Sequence, residues 1–358
     1  MKFHATLTHS SESCPGPRGG PPVTDWPARA TEVGIELISA VQCQMSHSQY
    51  FVVETDDYAK LHELFVPFQG IATLGARTTD WPVTSRGAII LPEGQGFGHG
   101  RRFTMRFQDK VAVITGAADG IGRATSRILA GEGAHLVAVD INPAALAALA
   151  EEIETGGGNV TTMEVNVLDS QQAEGMVDSV ISSLGRIDIL VNAVGGSTII
   201  PNSRATVDDL TLEDWDNIIE FNLRGTFLCT SAVIKRMKQQ GIGKIINLSS
   251  VAGHGASDTS SAYATAKAGI MAFTKKVAVE AGPYGVTCNA IAPGMTLSDR
   301  IARGWEQRSE EEKRRSIEAI PLGRPAEPED QAKVIAFLAS SDADYVTGVT
   351  IDVNGGQY

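Results

Sequence analysis

From Lys110 onward two kinds of hydrophobic pattern alternate along the chain. Short, nearly continuous apolar runs at 111–115, 136–140, 160–165 and 187–191 predict strands buried on both faces. Between them, over 121–132, 143–154 and 170–184, apolar positions recur at the spacing of one helix face. Strand and helix in regular alternation predict a parallel sheet covered on both sides, an α/β doubly wound fold of Rossmann type.

The first hundred residues carry a different pattern. Strands are predicted at 3–8, 40–45, 50–54 and 71–74, and helices at 25–38, with Asp25 as N-cap, and at 56–65. The order β-α-β-β-α-β predicts a small α+β sandwich of ferredoxin-like type. A Gly-rich stretch, including the run Leu-Pro-Glu-Gly-Gln-Gly-Phe-Gly-His-Gly, reads as a flexible linker. The expected organisation is therefore a small domain at 1–76, a linker at 77–104 and a large domain at 105–358. Met105 stands where a free-standing enzyme would start, so a fusion is the reading. His4, His9, His47 and His62 follow no ligand spacing, and the small domain shows no recognisable site.

Composition narrows the function classes. A net charge of −12 argues against nucleic acid as a partner, since phosphate contacts need clustered Lys and Arg. No apolar run approaches the roughly 20 residues that span a bilayer, and the N-terminus lacks the apolar core of a signal peptide. Cys14, Cys43, Cys229 and Cys288 are scattered without metal-type or CxxC spacing, which fits a reducing cytoplasm, and no metal site is expected.

Three local features carry chemistry. Thr115-Gly-Ala-Ala-Asp-Gly-Ile-Gly122 follows the first strand of the large domain and opens a helix. Gly116, Gly120 and Gly122 let the turn close and let a pyrophosphate approach the backbone at the positive end of the helix dipole. Asp140 ends the next strand, where a carboxylate can accept from both hydroxyls of an adenosine ribose and repels a 2′-phosphate. Ile141 and Asn142 follow it and Asp119 precedes Gly120, so no base favours the phosphate, and NAD is expected over NADP. Tyr263 and Lys267 lie one helical turn apart, on one face. A fixed cation there favours the phenolate and pulls its pKa toward the working range.

Together with Asn192-Ala-Val-Gly195, Asn222, Ile246-Asn-Leu-Ser-Ser250, Pro293-Gly294 and the C-terminal Thr347-Gly to Asn354-Gly-Gly, these motifs resemble the short-chain dehydrogenase/reductase family. The resemblance covers residues from about 105 to 358 and points to its compact branch, similar to 3-oxoacyl-carrier-protein reductases and hydroxysteroid dehydrogenases. It implies an NAD-dependent enzyme that interconverts a secondary alcohol and a ketone, acting on a hydroxyacyl, steroid-like or cyclic substrate.

By the same resemblance Tyr263 is the general acid/base, Ser250 (with Ser249 as fallback) holds the substrate oxygen, and Lys267 lowers the tyrosine's pKa and binds the nicotinamide ribose. Asn222 supports a water that links the lysine to solvent. The cofactor positions are Gly116, Asp119, Gly120, Ile121, Gly122, Asp140, Asn166, Val167, Asn192, Gly195, Tyr263, Lys267, Pro293, Gly294 and Thr296, with Asn192 mainly tying strands and Thr296 near the carboxamide. Asn192-Ala-Val-Gly195 departs from the family's Asn-Asn-Ala-Gly, and Asn166 stands where an Asp is usual.

The resemblance also implies a homotetramer, with the 349–353 strand and the 261–282 helix at interfaces. A catalytically silent NAD-binding sensor or scaffold, and a nucleotide-sugar epimerase or dehydratase, are the alternatives. Substrate choice is expected in 196–204 and in a charged helical lid at 297–319. The lid's Arg residues either meet an anionic tail or form a solvated face offset by Glu306, Glu310, Glu311 and Glu312.

Overall fold

The computed structural model describes residues 105–357 apart from residue 256, and four strands before them. The chain divides into two compact units, residues 1–91 and 92–358.

In the first unit the strands are β1 (Lys2–Thr8), β2 (Glu36–Cys43), β3 (Ser48–Glu54) and β4 (Thr73–Thr78). They form an antiparallel sheet in the order β2-β3-β1-β4. β3 thus lies between β1 and β2 and is antiparallel to both. The expected helix at 56–65 lies outside the described residues, as does most of the one at 25–38. Residues 36–38 are a correction, because they belong to β2, which absorbs them through a register irregularity between Leu37 and Ser39. The last strand also sits later than expected, at 73–78 rather than 71–74, and takes in the first two residues of the expected linker.

The second unit is a seven-stranded parallel sheet in the order β11-β10-β9-β8-β5-β6-β7. The strands are β5 (Val111–Thr115), β6 (His135–Asp140), β7 (Asn159–Glu164), β8 (Ile189–Asn192), β9 (Gly243–Leu248), β10 (Val286–Pro293) and β11 (Thr350–Val353). The helices are α1 (Gly120–Gly131), α2 (Pro143–Thr155), α3 (Ser170–Leu184), α4 (Leu212–Ile219), α5 (Gly225–Gln240), α6 (Ser261–Ala281), α7 (Asp299–Glu306), α8 (Glu310–Glu318) and α9 (Pro328–Ala339).

Alternate residues of each strand enter opposite cores. Ala112, Ile114, Leu136, Ala138, Ile189, Val191, Ile246 and Leu248 pack with Leu129, Leu149 and Ile335 of α1, α2 and α9. Val111, Val113, Val137, Val139, Leu190 and Ile245 pack with Met176, Val233 and Val277 of α3, α5 and α6. Burial on both faces is why these strands read as unbroken apolar runs.

The chain enters at β5, winds out to β7, then returns through β8 to the far edge. Strand order therefore reverses between β5 and β8, where the carboxyl ends of adjacent strands leave a crevice. The Gly loop follows β5, Asp140 ends β6, Asn192 ends β8, Ser249 and Ser250 follow β9, and Pro293 ends β10. The parallel topology thus brings scattered sequence motifs to one edge.

Candidate active site

The loop after β5 turns through positive φ at Gly116 (63°) and Gly120 (50°). Its shape is held by backbone and carboxylate: Ala117 N–H donates to Val139 O (3.1 Å) and Ala118 N–H to Asp140 Oδ2 (3.2 Å). Asp140 Oδ1 accepts from Asn142 N–H (3.1 Å). At Gly122 no side chain can exist, since a Cβ would fall 1.9 Å from Gly116 O. Asp119, at the N-cap of α1, makes no side-chain cap hydrogen bond, and the first turn contains no acid. The first N–H groups of α1 and its dipole therefore face the crevice without an anionic partner of their own.

Across the crevice, Asn222 sits in a π-helical turn, Glu220–Arg224, between α4 and α5. Its side chain explains the turn, because Nδ2 donates to Ile218 O (3.0 Å), the carbonyl an α-helical N–H four residues on would take. The same amide grips Gly196 from both sides, accepting from its N–H (2.9 Å) and donating to its carbonyl (3.0 Å).

α6 starts at the N-cap Ser260, whose hydroxyl accepts from Tyr263 N–H, and one turn later Lys267 is wholly buried. Lys267 Nζ donates to Leu248 O (2.8 Å) and lies 5.6 Å from the centre of the Tyr263 ring. Asn222 Oδ1 and Lys267 Nζ converge on Gly195, at 2.8 and 2.9 Å from where a side chain there would begin. Burial, helped by the charge of Arg300, brings the Lys267 ammonium down to about 7. Burial also pushes the Tyr263 phenol above its ordinary value, against a hydrogen bond from Ser250 and the charge of Arg300. That direction corrects the expectation that Lys267 draws the phenol down. The phenol is itself buried, and its desolvation outweighs the neighbouring groups that favour the phenolate.

The two serines after β9 separate cleanly. Ser249 Oγ is buried and donates to Lys267 O (2.8 Å), so it braces α6, while Ser250 is the serine that meets the phenol.

The profile of the family described as Enoyl-(Acyl carrier protein) reductase matches residues 116–357. The 3-oxoacyl-(acyl-carrier-protein) reductase of Thermotoga maritima is 40% identical over 256 residues, which are 70% of this chain and 99% of that protein. Levodione reductase of Leifsonia aquatica is 37% identical over 260 residues, 71% of this chain and 96% of the relative. The crystal structure of levodione reductase matches with a TM-score of 0.64 at 36% identity, over 70% of this chain and 98% of that one. The chain belongs to the short-chain dehydrogenase/reductase family.

Short-chain dehydrogenases/reductases are oxidoreductases that take a nicotinamide dinucleotide, and the residues present fit such a group. The side-chain-free cradle at Gly122, the uncapped start of α1 and the lone pairs left on both Asp140 oxygens suit a pyrophosphate and a ribose.

Other expected positions divide by what their side chains do. Asn192 Nδ2 donates to Thr230 Oγ1 (3.0 Å) and Asn247 Oδ1 (2.8 Å), tying β8 to α5 and β9. Asn166 is exposed at the end of β7 and its Oδ1 accepts from Leu168 N–H (3.0 Å). Val167 is buried in the core below. Gly294 packs against Asn354, and Thr296 turns inward, donating to Gly294 O (3.2 Å) and accepting from Gln331 Nε2 (3.2 Å). The hydroxyl of Thr296 is thus engaged within the protein. Ser298, not singled out in the sequence, comes within 3.0 Å of where a side chain on Gly120 would begin. Its only signal was its place two residues beyond Thr296.

Among the described residues no group of three His, Cys, Asp or Glu could hold a metal ion, and no helix is long and apolar enough to cross a membrane.

Proposed function

We propose that this protein is an NAD(H)-dependent enzyme that interconverts a secondary alcohol and a ketone, with Tyr263 as general acid and base. The observation that carries the proposal is Tyr263 itself, paired with Ser250 and one turn from buried Lys267, beside the Gly loop on one edge of the sheet. In reduction the substrate carbonyl oxygen sits between the Ser250 and Tyr263 hydroxyls, and the phenol gives its proton to that oxygen. Bound nicotinamide supplies the hydride. In oxidation the phenolate takes the proton back from the hydroxyl. Lys267, whose ammonium burial brings down to about 7, and the adjacent Asn222 Oδ1 offer an exit for that proton, through a water that Asn222 would hold. Two relatives are named as a 3-oxoacyl reductase and a levodione reductase, both reducers of a ketone, which agrees with this chemistry.

Preference for NAD over NADP rests on Asp140. Each of its oxygens already accepts one backbone N–H and keeps room for a ribose hydroxyl, whereas a 2′-phosphate would meet the carboxylate charge. Asp140→Asn removes the charge and keeps one of the two acceptors that hold the backbone N–H groups of Ala118 and Asn142. The ratio of kcat/KM for NAD over NADP is expected to fall about tenfold or more, the scale of one charge-assisted contact. A ratio that does not move, or a wild type that prefers NADP, contradicts the assignment.

The same proposal includes a cytoplasmic homotetramer. Phe227 of α5 and Val279 of α6 stand exposed on neighbouring helices, an apolar surface suited to a subunit contact. A monomer by sedimentation at micromolar concentration would exclude that assembly.

A further inference from the structure

The basic residues of the 297–319 segment do not behave alike. On α8, Lys313 pairs with Glu310 (2.8 Å), Arg314 with Glu311 (2.7 Å) and Glu318 (2.9 Å), and Arg315 with Glu311 (2.9 Å). That helix is a self-neutralised solvent face, one of the two readings its sequence allowed. Arg308 stacks over Trp305 and donates to Ser316, and Arg204, from the other substrate loop, pairs with Asp258 (3.2 Å).

Arg300 and Arg303 are left, among the described residues, without a carboxylate in ion-pair distance, and of these two Arg300 is the one with a hydrogen bond to the protein, a long one from Nη2 to Gly195 O at 3.4 Å. Its guanidinium turns its two terminal nitrogens toward Gly196, where a Cβ would come within 2.6 and 2.8 Å of them. Gly196 is the residue that Asn222 clamps by both its N–H and its carbonyl. A buried amide therefore fixes the floor on which this cation rests. The charge reaches both members of the acid/base pair, pulling the Tyr263 phenol and the Lys267 ammonium down. The guanidinium is exposed and most of its five donors have no protein partner, so an anion entering the crevice can reach them.

We propose that Arg300 binds a carboxylate of the substrate, so that the natural substrate is a short oxo acid or hydroxy acid with its charge a few bonds from the reacting carbon. The planar fork of Arg suits a carboxylate, and its place against Gly195 and Gly196 sets that group beside Tyr263, not at the far end of a long chain. The cofactor phosphates are the competing anion. They have the uncapped start of α1 at the Gly loop, while Arg300 lies at the chemical end of the crevice. This inference rests on the proposed ketone/alcohol chemistry and adds the class of substrate to it.

The test compares pyruvate, acetoacetate and levulinate, each against its methyl ester, with NADH and the full-length wild type, Arg300→Met and Arg300→Lys. At least one acid is expected to exceed its ester in kcat/KM in the wild type. Arg300→Met should reduce that ratio about ten- to hundredfold, mainly through KM, and Arg300→Lys should retain part of it. An acid-to-ester ratio that is the same in wild type and Arg300→Met overturns the proposal. So does an equal loss on acids and esters with a raised KM for NADH, which makes Arg300 a cofactor contact. Calorimetric titration of the same acids and esters reads the ratio without turnover. Arg300-dependent binding of an acid with no hydride transfer to any ketone would support the anion site and overturn the proposed function instead.

Discussion

Tyr263→Phe is expected to lower kcat about 10²- to 10⁴-fold in both directions, the range a positioned acid/base supplies, with NAD affinity nearly unchanged. The ring packs against a small cluster of Ile200, Ile218 and Ala262, and Phe keeps that contact. Only the hydroxyl is lost, together with its hydrogen bond to Ser250. The sign of the pH dependence follows from the raised phenol. Oxidation needs the phenolate, so its rate climbs as pH rises toward the tyrosine's value, while reduction, which needs the phenol, falls off there. The climb should vanish in Tyr263→Phe. Steady-state rates across pH, with NAD binding by calorimetry, check all of this. A variant that keeps most of the wild-type kcat would remove Tyr263 from the mechanism.

The second large effect is expected at Gly122. An alanine there places its methyl 1.9 Å from Gly116 O and 2.8 Å from Gly116 C. Both are backbone atoms of a tight turn, so no side chain can swing aside and the loop must open. Opening it pulls the start of α1 away from β5, and with it the hydrogen bonds of Ala117 and Ala118 to the end of β6. The expected cost is about 1–3 kcal/mol of stability, the range for overpacking, together with loss of measurable NAD binding. Gly131, the last residue of the same helix, is the control, because a Cβ there meets nothing within 4 Å. Gly131→Ala should gain about 0.5–1 kcal/mol and leave NAD affinity alone. Thermal midpoints and calorimetry on the two variants decide the point, and equal NAD affinity in both contradicts the loop assignment.

Most of the large domain was legible because its physics is local or topological. Strands buried on both faces leave unbroken apolar runs, and a Gly turn between strand and helix leaves its own spacing. Once the sheet is parallel, strand ends gather at one edge, so Asp140, Asn192, Ser250 and Pro293 had to be neighbours.

What sequence spacing missed depends on where a side chain points and what surrounds it. Lys267 is one turn from Tyr263 as expected, yet both side chains are buried, and desolvation raises the phenol and lowers the ammonium. Thr296 lies in the expected loop, but its hydroxyl turns inward to Gly294 O and Gln331. Asn222 shapes its own π turn through a side-chain bond to Ile218 O, which no periodicity reveals. Arg300 looked like one base among six in a charged segment, and only its place against Gly196 distinguishes it from the paired residues of α8. In the small unit, residues 36–38 continued an amphipathic helical pattern, and pairing with β3 claimed them for the sheet.

The central claim is that this chain moves a hydride between NAD(H) and a carbonyl carbon while Tyr263 moves the proton. Its most direct test uses NADH carrying deuterium at the transferring carbon, incubated with a panel of ketones and oxo acids, with the alcohol product read by mass spectrometry. The account predicts one deuterium on the carbinol carbon of the product with wild type, and almost none formed by Tyr263→Phe. Alcohol formed without the label, or labelled alcohol formed equally well by Tyr263→Phe, would contradict it.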